Sequence, residues 1–346
     1  MEWPLWARGV SPCLLFIRLV TSRVGKYHRI RLLDDGIVED HLAQTSGLWG
    51  FNKKTLVLQC LRSDMAEAME LPRMFLDTAR EAAGLRHPRV ARVFDFGEAD
   101  GTYFLAREHV DGPSLRQVIG RAAARGMPLP ATLCARIISQ ACEGLAYIHD
   151  FIDPQTQQPA ELLHACVRPH NILLSRQGMT QVVDFGIDSF RARFTPKGMI
   201  PILGPHMYMS PEEVRGLPGD RRIDVYSLGV VLYELLTLRK PFAPASDWDL
   251  PMTVLSKPMV PAEQHRPDLP VALRDVLTRA LAKERDQRYP DCRELQADLE
   301  EFIRSEGAPV TPRQVAQLIQ HVTSDDPNVV APDGLETQSR SRSGQG

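Results

Sequence analysis

The sequence predicts an α+β, bilobal chain: a small antiparallel β-sheet lobe with one helix, followed by a larger, mainly helical lobe. Three observations carry this. Between residues 27 and 107 the apolar residues come largely in short runs separated by glycines, the pattern of strands and turns. Beyond Asp111-Gly112 the spacing changes to three and four residues and mostly stays there, as in helices. With 346 residues, 43% of them hydrophobic, the chain is long enough for two lobes and too apolar to be disordered throughout.

Residues 1–26 form an N-terminal extension. Its apolar run Cys13-Leu14-Leu15-Phe16-Ile17 is short and ends at Arg18, so neither a signal peptide nor a membrane span is expected. Its four basic side chains against one acidic suit either a membrane surface or partner helix, or a frayed extension. The small lobe spans 27–110. Ile30 and Leu32, then Leu56, Val57, Leu58 and Leu61, predict strands separated by Gly36 and the Gly47–Gly50 stretch. Leu71-Pro72 opens a helix carrying Phe75, Leu76, Ala79, Ala82 and Ala83, which closes before His87-Pro88. Val90 to Phe96 and Tyr103 to Ala106 flank a turn at Ala99-Asp100-Gly101 and predict a hairpin.

The large lobe spans 111–306. Pro130 opens a helix with Leu133, Ile137, Ala141, Leu145 and Ile148 on one face. Val225 to Leu238 is apolar nearly all round, which predicts a buried central helix. Further helices are expected at 270–282 and behind Pro290-Asp291, with short strands at 172–174 and 181–183 joined by a Gln177-Gly178 turn. An appended helix is expected within 307–325, because Thr311-Pro312 supplies an N-cap and a first-turn proline. Residues 326–346 are rich in Asp, Pro, Ser, Gly and Gln and read as a disordered tail.

Charge and cysteine usage narrow the partners. With 41 basic against 43 acidic side chains and a net charge of −2, no basic footprint for nucleic acid exists. The six cysteines contain no CxxC pair, which argues against a disulfide framework or a zinc site and for a reducing, cytoplasmic setting. No transmembrane segment is expected.

His164-Ala165-Cys166-Val167-Arg168-Pro169-His170-Asn171-Ile172-Leu173-Leu174, followed ten residues after Leu174 by Asp184-Phe185-Gly186, strongly resembles the catalytic loop and metal-binding motif of protein kinases. Tyr208 to Glu213 is similar to the end of that family's activation segment, and Asp224 to Gly229 to the start of its central helix. The resemblance covers 27–306 in the family's order. Its phrasing is closest to bacterial serine/threonine kinases, including the 14 residues from Asp150 to Leu163 before the catalytic loop. It implies a buried Glu212–Arg288 ion pair and a structural Asp224.

Phosphoryl transfer needs a glycine-rich loop over the phosphates, a lysine, metal ligands and a carboxylate that orients the attacking hydroxyl. Here the loop positions implied by the resemblance hold Leu33, Asp35 and Val38, with Asp40 where a valine covers the adenine. Asp34, Asp35 and Glu39 are expected where phosphates would sit, and like charges repel. The lysine position is Gln59, its helix partner is Thr78 rather than a glutamate, and Glu81 lies one helical turn on. Lys53 and Lys54 precede the strand as solvated turn residues. The general-base position is Cys166, preceded by Ala165 in place of arginine, and a thiol with an ordinary pKa is a poor base. Asn171 and Asp184 match the family's magnesium ligands, either as metal ligands or as retained structural groups.

The hinge falls on Glu108 and Val110, with Arg107 as gatekeeper. A buried arginine needs a partner, so Arg107 is expected to enter the vacated lysine space and pair with Asp184 or a nearby acid. Ser189 and Thr195 are candidate phosphorylation sites, Pro205 follows Gly204 at the substrate-contacting position, and Trp248 is either an interface residue or a local plug. The expectation is a degenerate kinase, a pseudokinase acting as a regulatory or scaffolding module for a protein partner such as an active kinase or signalling protein. Two alternatives stay open: a weak or atypical serine/threonine kinase using ATP and Mg, and a nucleotide sensor without turnover.

Overall fold

The computed structural model describes residues 23–46, 53–67, 70–194, 205–242 and 249–324. Most of the N-terminal extension, the Gly47–Gly50 stretch, Thr195, Gly204, Trp248 and the tail from 326 lie outside the described residues.

The small lobe is a six-stranded antiparallel sheet of order β1-β2-β3-β4-β6-β5, built from β1 (Arg23–Val24), β2 (Tyr27–Asp34), β3 (Val38–Thr45), β4 (Thr55–Leu61), β5 (Val93–Ala99) and β6 (Thr102–Glu108). It begins at Arg23, ahead of the expected boundary at 27, because Arg23 and Val24 pair with His28 and Tyr27. A one-turn helix α1 (Ser63–Ala66) precedes the expected helix α2 (Leu71–Gly84), which buries Phe75, Ala79 and Ala82. Ile30 and Leu32 lie on a strand as expected, yet they are 41% and 39% exposed, since β1 is too short to cover that edge.

The period of two in a strand divides the sheet's side chains between its faces. Leu56, Leu58, Cys60, Phe104 and Ala106 form an outer cluster with Tyr27 and Ala43. Val57, Gln59, Leu61, Leu105 and Arg107 therefore face the other lobe, as do Val38 and Asp40 through the pairings Val38↔Leu61 and Asp40↔Gln59.

The large lobe is helical around a two-stranded ribbon: α3 (Leu115–Ala124), α4 (Ala131–His149), β7 (Ile172–Leu174), β8 (Thr180–Val182), α5 (Ile187–Phe194), α6 (Pro211–Val214), α7 (Arg222–Thr237), α8 (Leu250–Ser256), α9 (Ala262–His265), α10 (Val271–Ala280), α11 (Cys292–Ser305) and α12 (Pro312–Thr323). Helix α7 is buried nearly all round and ends at Leu238 in a left-handed conformation (φ 56°). No helix among the described residues is long and apolar enough to cross a membrane.

Helix α12 is the appended helix. Thr311 and Gln314 form a capping box at its start, and Val315, Leu318, Ile319 and Val322 are buried. Arg121 of α3 and Arg125 just after it donate to the carbonyls of Thr323 and His321, respectively. The turn between β7 and β8 fits under it only because Gly178 has no side chain: φ is +81° and a Cβ would lie 1.8 Å from Pro312 O. Gly178→Ala is expected to release α12 without unfolding the lobe. Hydrogen exchange should accelerate at least tenfold, about 1.4 kcal/mol, in 312–323 while α7 keeps its protection.

Candidate functional site

The segment from His164 to Asn171 is held by groups below it. Asp224, fully buried at the start of α7, accepts from the backbone N–H of His164 and of Ala165, both at 2.9 Å, and lies 2.8 Å from His149 Nε2. These bonds fix Ala165 at φ 54°, a left-handed conformation uncommon for alanine. Burial disfavours a charged His149, but the hydrogen bond and charge of Asp224 outweigh it and push His149 up to about 10. Glu212 and Arg288 meet in a buried two-pronged pair at 2.6 and 2.8 Å, the contact the resemblance implies.

At the general-base position, burial and then the Asp188 carboxylate push the Cys166 thiol up to about 12. A thiol held that high is a weak proton acceptor at neutral pH. Asn171 is occupied within its own loop: Oδ1 accepts from Arg168 N (2.9 Å), and Nδ2 donates to Cys166 O (2.8 Å) and to Asp188 Oδ2 (3.1 Å).

Asp184 faces the small lobe. Its Oδ1 accepts from Gln59 Nε2 at 2.9 Å and lies 2.8 Å from Arg107 Nε, and its Oδ2 is 3.4 Å from Arg107 Nη2. Arg107 thus reaches from the gatekeeper position into the space vacated by the lysine. Gln59 also donates to Asp40 Oδ1 at 3.1 Å, the neighbour that strand pairing places beside it. From α5, Arg191 contacts Asp40, donates to Val38 O at 3.2 Å and to Asp188 Oδ1 at 2.9 Å. Arg168 closes the chain on Asp188 Oδ2 at 2.6 Å.

Three carboxylates, Asp40, Asp184 and Asp188, are therefore interleaved with three guanidiniums, Arg107, Arg168 and Arg191, across the cleft between the lobes. The charges cancel, as buried charges must. Asp188 is 1% exposed; burial opposes its charge, yet Arg191 and then Arg168 hold its carboxyl well below the usual range. Asp40 moves the other way, since burial raises it more than Arg191 lowers it. A small cavity of about 10 Å³, room for about one water, lies beside Gln59, Arg107 and Asp184, with Ala82, Leu85 and Phe185 also on its wall.

Other expected site residues sit apart from this cluster. Glu39, expected among the phosphate-repelling carboxylates, faces the opposite side of the sheet, paired to His41 at 3.0 Å, because it is one residue out of phase with Asp40. Asp34 and Asp35 are exposed at the hairpin tip, while Ile37 and Val38 fold into the core. Thr78 abuts Gly186, where a Cβ would come within 2.6 Å of its methyl group. Glu81 is exposed. Lys54 stacks over Phe94 at 3.3 Å, away from the cleft. At the hinge, Glu108 O accepts from Arg107 Nη1 at 3.2 Å, and Val110 packs with Ala91, Val183 and Leu173. Ser189 donates to His164 O.

Two members of the cluster, Asp188 and Arg191, are not among the residues singled out from the sequence. The available signal is their three-residue spacing, which on a helix makes an ion pair, but nothing in the sequence predicts α5. A magnesium ion would need Asn171 and Asp184, and both are engaged by protein donors. Among the described residues no cluster of three or more His, Cys, Asp or Glu is arranged to hold a metal. As arranged, Asn171 and Asp184 are taken up by protein contacts rather than left open for a metal.

Comparison with known proteins places this geometry. A family model described as the protein kinase domain matches residues 53–299. The tyrosine-protein kinase MasK of Myxococcus xanthus is 32% identical over 301 residues, 87% of this chain and 45% of MasK. The serine/threonine-protein kinase PrkC of Bacillus subtilis is 30% identical over 283 residues, 81% of this chain and 41% of PrkC. The chain thus spans less than half the length of these curated relatives. Among solved structures, the kinase domain of Mycobacterium tuberculosis PknI aligns over 81% of this chain and 97% of its own, with a TM-score of 0.59 and 28% identity.

Proposed function

The chain belongs to the protein kinase family, and we propose that within it the chain is a pseudokinase, a regulatory or scaffolding module whose cleft is closed by its own side chains. The observation that carries this reading is the neutral chain of three aspartates and three arginines. It occupies the positions from which kinases hold phosphates and metal, with Gln59 in place of the lysine and Cys166 in place of the base.

The network also ties the lobes together, since Asp40, Gln59 and Arg107 belong to one lobe and Asp184, Asp188 and Arg191 to the other. A nucleotide organises the lobes of an active kinase; here the ion pairs do so. Such a rigid body suits recognition by a protein partner, an active kinase or another signalling protein. The free thiols at Cys60, Cys134, Cys142, Cys166 and Cys292 support a reducing, cytoplasmic setting.

Retention of Asn171 and Asp184 favours one second reading, a nucleotide sensor or weak kinase. Calorimetric titration of the full chain with ATP, with and without magnesium, separates the two. The expected result is no binding at millimolar ATP in either condition. Magnesium-dependent binding that disappears in Asp184→Asn would overturn the pseudokinase reading of the cleft.

A further inference from the structure

Away from the cleft, a cavity of about 360 Å³ opens between the end of α6 and the loop after α10, lined by Arg215, Leu217, Lys283 and Arg285 among others. Lys283 also lines a second cavity, of about 510 Å³, along α10. Its Nζ donates to Val254 O at 2.6 Å and sits 4.0 Å from the centre of the Phe242 ring, so one ammonium pins the last turn of α8. Burial and then the Arg288 guanidinium pull Lys283 down to about 8, so an appreciable fraction of the amine is neutral near pH 7.5. Of the carboxylates lining the smaller cavity, Glu212 is committed to Arg288, while Glu284 shares the exposed rim with Arg215 and Arg285, the latter 3.9 Å from Asp220.

We propose that Lys283 is a modification site, acylated by a small anionic acyl donor, an acyl phosphate, that the cavity holds through Arg215 and Arg285. The neutral amine attacks the acyl carbon. The N–C bond forms as the C–O bond to phosphorus-bound oxygen breaks, and the phosphate leaves with that electron pair and takes up the amine's proton, so no oxidant or second cofactor enters. The product amide carries no charge. It loses the ammonium's hold on Val254 and Phe242 and loosens α8, which gives this surface two states.

The test is incubation of the full chain with acetyl phosphate, with site occupancy followed by peptide mass spectrometry. The chain has seven lysines, so exposed Lys26 and Lys257 serve as internal references. Lys283 is expected to acetylate about tenfold faster than either, from its larger neutral fraction offset by lower basicity. Arg215→Gln/Arg285→Gln should slow Lys283 several-fold and leave Lys257 unchanged. Equal rates at all three lysines would overturn the proposal, and so would a fast Lys283 that ignores the arginine substitutions. Both arginines are exposed, so the double variant is expected to fold, which its circular dichroism would verify.

Discussion

Arg191→Ala should destabilise the protein by about 3–5 kcal/mol, the range for breaking a buried pair and leaving a charge behind. Its side chain is 11% exposed and touches Asp40, Asp188 and Val38 O, joining α5 to β3 across the lobes. Alanine would leave Asp40 with Arg107 at 3.9 Å and Gln59 as its remaining partners. Burial already raises Asp40 and Arg191 is what most opposes that rise, so in the variant its carboxyl should move further up. Urea unfolding of the variant measures the loss. Asp40→Leu combined with Arg191→Met removes both charges together, and the double variant should recover most of it. A loss below about 1 kcal/mol for Arg191→Ala, in the range of an exposed pair, would show that the network does not hold the lobes together.

Asp224→Ala should cost a similar amount, about 3–5 kcal/mol, because it strands His149 and two backbone N–H groups in the core. The accompanying pH dependence is specific. Since folding raises His149 to about 10, its contribution is fully present below its unfolded value, about 6.5, and is lost as pH rises through about 10. Asp224 has the opposite sense: burial opposes its charge but His149 holds it low, so its contribution is present above its unfolded value, about 4, and falls away in acid. Thermal melting between pH 6 and 10 should show a falling Tm in the native chain. His149→Gln should lower the Tm at pH 6 and flatten that slope. An unchanged slope would mean that His149 carries no charge in the folded state.

Much of the cleft is legible in the amino-acid sequence. The missing glycines, Gln59 and Cys166 follow from position within motifs, and a buried Arg107 has to find an acid. The partners are harder to foresee. Glu39 and Asp40 are adjacent acids, and only the strand register decides that Asp40 faces Gln59 while Glu39 turns to His41. Helix α5 leaves no clear trace in the sequence, because its burial of Ile187 and Phe190 depends on what packs against it rather than on a strong pattern of its own.

The sequence alone determined the two-lobed class, since strand and helix periodicities are local and change at Asp111-Gly112, and the resemblance it carries marked which of the family's motif positions hold other residues, since that comparison needs no coordinates. The tertiary structure decided how they pair. Residues 40, 59, 107, 168, 184, 188 and 191 come from β3, β4, β6, α5 and the loops before β7 and α5, and which charge meets which depends on register, helix phase and the approach of the lobes. Those are properties of distance in space, and desolvation between the lobes converts that proximity into a network with no charge left over.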